Sequence, residues 1–182
     1  MPFAVELYLD ERTEALIRGI WEKLAQKGVS DRLLKKGGRP HVALSLFEDA
    51  DLGEVIPQLR NLAKDQSPLE ARFESLGTFC TADGVLFLVP VYSPRFFLIH
   101  STVNKILTSL AHGVRESCKP NRFVPHCTIA YGLDKESLAR TVSLFSNKAL
   151  PIVGSFNRIG LVDIGNMEDR CVYLLSKAQF QQ

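Results

Sequence analysis

Two stretches of this chain place a histidine directly after a proline at the head of an apolar run: RPHVALSLFE, Arg39 to Glu48, and RFVPHCTIAYGL, Arg122 to Leu133. Histidine ordinarily titrates near neutrality, at about pH 6.5, so two imidazoles facing one space can divide the work of base and acid. Cleaving a phosphodiester needs both roles. One group takes a proton from the attacking hydroxyl or water and another gives one to the departing oxygen, while hydroxyls or cations steady the non-bridging oxygens. No metal is required for such chemistry.

Alternate residues of a strand share a face. On that rule His41 lies with Arg39, Ala43, Ser45 and Phe47, and His126 with Arg122, Val124, Thr128 and Ala130. Both histidines fall on the less apolar face. Either one alone reads as a packed, hydrogen-bonded strand residue; the repetition with a shared preceding proline favours a site. Arg39 and Arg122 share the histidine faces and are candidates to neutralise phosphate charge, although arginines at strand entrances are more often solvated surface. Cys127 is next to a histidine but points to the opposite face, which argues against a thiol nucleophile.

The elements that position these residues can be read from periodicity. Residues 3–10 read as a half-buried strand, and Asp10 caps a helix whose apolar face holds Leu16, Ile17, Ile20, Trp21 and Leu24 before Gly28. A polar connection, VSDRLLKKGGRP, leads to the first histidine strand, about 40–47. A helix with Leu52, Val55, Ile56, Leu59 and Leu62 in one stripe and a strand at LEARFESLGTFC come next. From residue 84 the order starts over. Ser93 and Pro94 open a helix, the second histidine strand spans about 123–131, Asp134 caps another helix, and PIVGSFNRIGLVDI and CVYLLSKAQF close the chain as strands. His41 and His126 lie 85 positions apart. The expected architecture is therefore α+β, bilobal and internally duplicated. Residues 1–182 form one domain of two halves, roughly 1–81 and 82–182, with two antiparallel sheets lining a central groove and helices outside.

Composition narrows the function classes. With 182 residues, 46% apolar and 23% charged, the chain can bury roughly 70% of its unfolded surface and has no disordered signature. A formal charge of +2 supplies no broad basic field for duplex nucleic acid. Glu6, Asp10 and Glu11 in the first stretch do not fit a secretory signal, and Pro90, Pro94 and Arg95 interrupt the longest apolar run. A cytoplasmic protein with no membrane segment is expected. Cys80, Cys118, Cys127 and Cys171 show no zinc spacing, so reduced thiols and no metal or cofactor are expected. His100 reads as a packed helix residue and His112 as a cation near a helix end. KKGGRP lacks the P-loop pattern and reads as a groove rim. Tyr8, Phe47, Phe79 and Tyr131 are candidate base-stacking aromatics, with Tyr131 on the wrong face unless a bulge re-aims it.

The segments RPHVALSLFE, LGTFCTADGVLFLVPV and RFVPHCTIAYGL, set in a repeated chain of this size, resemble the two-histidine (2H) phosphoesterase superfamily, especially its bacterial 2′-5′ RNA ligase-like branch. The resemblance spans nearly the whole chain. It implies a bilobal α+β fold and metal-independent hydrolysis or transfer at 2′,3′-cyclic or 2′-5′ phosphodiesters of nucleotides or RNA ends. His41 and His126 would be the catalytic acid and base, and Thr128 the hydroxyl that holds the phosphate. Position 43 departs: family members usually carry threonine or serine there, and Ala43 has no hydroxyl. A hydrogen bond to a charged group is worth about 1.5–3 kcal/mol, so its loss costs about ten- to a hundredfold in rate unless replaced. Ser45 is the candidate replacement, further along the same face. The expected partner is a nucleotide or RNA terminus and the expected state a monomer. The alternative is a binding module of the same fold, in which Ala43 marks lost catalysis.

Overall fold

The computed structural model describes residues 2–79, 83–145 and 150–176. In chain order these form β1 (Phe3–Leu9), α1 (Glu11–Gln26), α2 (Arg32–Lys36), β2 (His41–Phe47), β3 (Asp49–Ala50), α3 (Leu52–Asp65), β4 (Leu69–Phe79), β5 (Val85–Pro90), α4 (Pro94–Leu110), β6 (Ala111–His112), β7 (Cys127–Ala130), α5 (Lys135–Phe145), β8 (Ile152–Asp163) and β9 (Glu168–Leu174). The fold is α+β with antiparallel sheets, as the sequence leads one to expect.

Where the sequence leads one to expect two sheets, the strand β8 joins both halves into one continuous antiparallel sheet. Its last six residues pair with β1 on one side and β9 on the other, and its first five pair with β4. The order β2-β1-β8-β9 therefore fuses through β8 to β8-β4-β5-β7. A two-residue ladder between β3 and β6 stands apart. Because β1 is flanked by β2 and β8 and covered on both faces, all seven of its residues are buried, more than the half-buried strand that alternation suggests.

The helices pack on strands of the sheet. Helix α1 lies against β1, β8 and β7, and α4 lies against β2 and α3. Their apolar stripes explain this: Ile17, Trp21 and Leu24 of α1 are buried, as are Phe96, Ile99, Val103 and Leu107 of α4, each such side chain contributing about 1.5–3 kcal/mol. Leu16, placed on the buried stripe by periodicity, is exposed. Asp10 caps α1 through the Thr13 N–H at 3.0 Å and also accepts from the Ser155 N–H at 2.6 Å, tying the helix start to β8. Ser93 and Asp134 cap α4 and α5 as expected. The connection 29–40 is not featureless, since it contains α2, which ends at Gly37 with φ 76°. No helix among the described residues is long and apolar enough to cross a membrane.

Candidate active site

Both histidine strands carry a bulge at the same place. In the β1–β2 ladder Glu6 pairs with Ala43 and Val5 with Ser45, so Leu44 is extra. In the β5–β7 ladder Phe87 pairs with Thr128 and Leu86 with Ala130, so Ile129 is extra. Each bulge falls three residues after the histidine and reverses the facing of everything beyond it.

The reversal bears on two expectations, overturning the one for Ser45 and realising the exception stated for Tyr131. Ser45 leaves the face of Ala43 and turns to the core beside Val5, where it is fully buried and its hydroxyl has no hydrogen-bond partner among the described residues. It is not a phosphate contact. Tyr131, by contrast, is re-aimed into the cleft. A third expectation fails for another reason. Strand β7 begins only at Cys127, Arg122 sits in a turn in which its N–H donates to the Lys119 carbonyl, and its side chain lines a different depression with Ser101 and Lys105. Arg122 is therefore away from the histidines.

What the fold brings together is a cleft of about 520 Å³ whose walls include His41, His126, Thr128, Arg39, Trp21 and Tyr131. The two imidazoles are held alike. His41 Nδ1 lies 2.7 Å from the Arg39 carbonyl oxygen, and His126 Nδ1 lies 2.7 Å from that of Val124. A carbonyl only accepts, so each Nδ1 carries hydrogen and each Nε2 is turned to other partners.

Their surroundings differ. His126 packs against the rings of Phe79 and Phe87, with centroids 4.9 and 5.2 Å away. This burial lowers its pKa, the carbonyl bond of Val124 opposes the shift, and the charge of His41 adds to it. Gly77 makes the packing possible, because a β-carbon there would lie 2.2 Å from the Phe87 ring. His41 instead has Nε2 3.3 Å from Glu6 Oε1.

Behind His41 lies a charged network. The Tyr8 hydroxyl donates to Asp169 Oδ1 at 3.0 Å, Arg39 Nη2 meets Asp169 Oδ2 at 2.6 Å, and the guanidinium rests 4.5 Å from the Tyr8 ring centre. Arg39 thus lines the cleft with its charge already balanced. Among the described residues Arg32 and Lys36 of α2, also in the wall, have no ion-pair partner. Arg32 lies over Tyr131, 5.7 Å from the ring centre. Gly132, at φ 70°, clears its place, since a β-carbon would come within 2.5 Å of the guanidinium.

The two histidine segments also touch. Trp21 Nε1 donates to the Thr128 carbonyl at 3.2 Å. The Cys127 thiol meets the backbone N–H of His41, and complete burial pushes its pKa up to about 12. That thiol is a packing group. Cys118, Cys127 and Cys171 are free, while Cys80 lies outside the described residues. His100 is buried against the Cys118 carbonyl, and burial lowers its pKa. Of the four named aromatics, Phe79 and Tyr131 line the cleft, whereas Tyr8 and Phe47 are buried. Among the described residues no cluster of three or more His, Cys, Asp or Glu side chains forms a metal-binding group.

Alternation alone misses Glu6, Asp169, Arg32 and Lys36. Glu6 has a signal: a carboxylate in mid-strand, in phase with Tyr8, within a segment otherwise built for burial. Asp169 and α2 have none that stands out from the other charged positions of the chain.

A family model described as the 2'-5' RNA ligase superfamily matches residues 12–168. The chain belongs to this superfamily. The fold is shared with E. coli LigT, whose apo crystal structure aligns with a TM-score of 0.57 over 97% of this chain and 98% of that one at 15% identity. TT0787 of Thermus thermophilus aligns with a TM-score of 0.60 over 98% and 100%, also at 15% identity. A curated relative, named "Putative phosphoesterase OB1230" in Oceanobacillus iheyensis, is 28% identical over 105 residues, or 55% of this chain. The match spans 56% of that relative's length.

Proposed function

We propose that this chain is a metal-independent phosphoesterase that hydrolyses or transfers 2′,3′-cyclic or 2′-5′ phosphodiesters of nucleotides or RNA ends, with His41 and His126 exchanging the protons. The observation that carries this reading is the identical anchoring of the two imidazoles in one cleft, each with Nδ1 on a backbone carbonyl of its own segment. Thr128 provides a hydroxyl in the same wall, and Arg32 and Lys36 provide unbalanced positive charge for the phosphate. Phe79 and Tyr131 offer flat surfaces for a base. A LigT crystal structure complexed with 3'-AMP, which aligns over 88% of this chain with a TM-score of 0.53 at 16% identity, supports a nucleotide as the occupant.

The test is hydrolysis of a 2′,3′-cyclic nucleotide in EDTA by the parent, His41→Ala and His126→Ala. Loss of about 10²–10⁴-fold in each variant is expected. Equal turnover in all three overturns the assignment.

Ala43 favours a second reading, a nucleotide-binding module with lost catalysis, because no hydroxyl stands at that point of the first histidine strand. Ala43→Thr separates the two. A higher rate supports a weakened enzyme, whereas a parent and variant that both bind nucleotide and turn nothing over support the module.

A further inference from the structure

Glu6 is 4% exposed in a strand with no exposed residue. Leaving a buried carboxylate unpaired costs several kcal/mol, so its partners explain its presence. Across the β1–β2 ladder it stands opposite Ala43, beside the Tyr8–His41 pair, and its Oε1 lies 3.3 Å from His41 Nε2. Since Nδ1 of His41 already donates to the Arg39 carbonyl, an Nε2 to Oε1 hydrogen bond requires a further proton. A proton held there sits either on the ring beside an ionised carboxylate or on the carboxyl beside a neutral ring.

Resting on the assignment of His41 and His126 as the acid–base pair, we propose that Glu6 is a positioning residue that keeps this proton on the His41 side of the cleft, making His41 the general acid and His126 the general base.

The groups around the pair fit this division. Burial raises the pKa of Glu6; His41, the Tyr8 hydroxyl and Arg39 pull it down, and Asp169 pushes it up again. The Tyr8 hydroxyl is held neutral, raised by burial and by the charges of Glu6 and Asp169. Cys127, at the His41 backbone, is neutral as well. On the other wall His126 meets the Phe79 and Phe87 rings, an environment that favours its uncharged form.

In the hydrolytic step water loses a proton to His126 Nε2 as its oxygen bonds to phosphorus. The bond from phosphorus to the departing ribose oxygen breaks, and that oxygen takes the proton held by His41 and Glu6. Turnover leaves His126 protonated and the His41–Glu6 pair one proton short, and exchange with water restores both.

Proton NMR of protein labelled with ¹⁵N-histidine tests the pair without any substrate. A downfield proton linked to His41 Nε2 is expected at neutral pH in the parent and is absent in Glu6→Gln; no such proton in the parent overturns the proposal. The pH–rate profile with a 2′,3′-cyclic nucleotide gives a second reading. In Glu6→Gln kcat falls about 10²-fold with KM within about twofold. The alkaline limb moves to lower pH, because no carboxylate is left to help hold the proton that the departing oxygen takes. The acid limb, set by His126, stays. An alkaline limb that does not move overturns the proposal even if the variant is less stable, since a purely structural role lowers the amount of active protein and not the position of the limb. If His41→Ala and His126→Ala turn over as the parent does, the hydrolytic reading fails, while the NMR result still decides whether Glu6 holds the proton.

Discussion

His41 and His126 are fixed by the same contact, Nδ1 to the carbonyl oxygen two residues earlier, at 2.7 Å in both cases. The strands diverge beyond the histidines, because the residue two positions on is alanine in one and threonine in the other. Thr128→Val should therefore cost about 1.5–3 kcal/mol of transition-state stabilisation, or about ten- to a hundredfold in kcat/KM, with little loss of stability. Steady-state kinetics on a 2′,3′-cyclic nucleotide beside thermal melts check this, and an unchanged kcat/KM removes Thr128 from the site.

Arg32 and Lys36 face the cleft without ion-pair partners among the described residues, whereas Arg39 is matched by Asp169. Arg32→Ala and Lys36→Ala should each raise KM several-fold, roughly the effect of losing one exposed charge contact of up to about 1 kcal/mol. Raising salt should shrink the difference from the parent. Initial rates at about 0.05 and about 0.5 M salt, which bracket weak and strong screening, measure both effects.

Ser45→Ala should leave turnover unchanged and raise stability by about 1 kcal/mol, since it removes a buried hydroxyl with no partner. Chemical denaturation and the cyclic nucleotide assay read the two halves of this statement. A loss of activity would return Ser45 to the cleft and contradict the bulge at Leu44.

Acidification should weaken the fold through His100 and His126, both of which burial holds below the ordinary histidine pKa. As pH drops below about 6.5 the unfolded chain takes up protons that the folded one refuses, so stability falls until the folded pKa is passed. Melting temperatures measured from about pH 7.5 to about pH 5 should decline across the window these groups define. His126→Asn and His100→Gln should each flatten part of the decline, and a variant that keeps the parent's slope excludes that histidine as a source.

Gly77→Ala should disturb the site from behind. The added β-carbon would meet the Phe87 ring at 2.2 Å, and that ring carries His126. Overpacking of this kind costs about 1–3 kcal/mol. Lower stability together with lower kcat is expected; full activity would show that Phe87 does not set the position of His126.

Periodicity in the sequence locates the helices well, because caps such as Asp10, Ser93 and Asp134 and apolar stripes such as Val55, Leu59 and Leu62 are local signals. The histidines are legible for a different reason, the repetition of their setting. Strict alternation misplaces Ser45 and Tyr131, because one extra residue in each strand reverses the face of both. A bulge depends on the partner strand, so nothing in RPHVALSLFE by itself marks it. Placing Arg122 beside His126 extends β7 too far toward the N-terminus, into a turn closed at the Lys119 carbonyl. Glu6, Asp169 and Arg39 become one network only through pairings of β1 with β2 and of β9 with β8, contacts that no local pattern contains.

The strand β8, which fuses the two halves of the sheet, is synthesised after both β1 and β4, the strands it joins. Until it arrives, β1 and β4 each lack the neighbour that closes one of their edges, and the Asp10 to Ser155 tie waits on a residue 145 positions away. The emerging chain therefore carries two open strand edges until β8 is made, the kind of surface that recruits chaperones or other nascent chains. Both edges are closed only by this one late segment, which pairs with β1 and with β4.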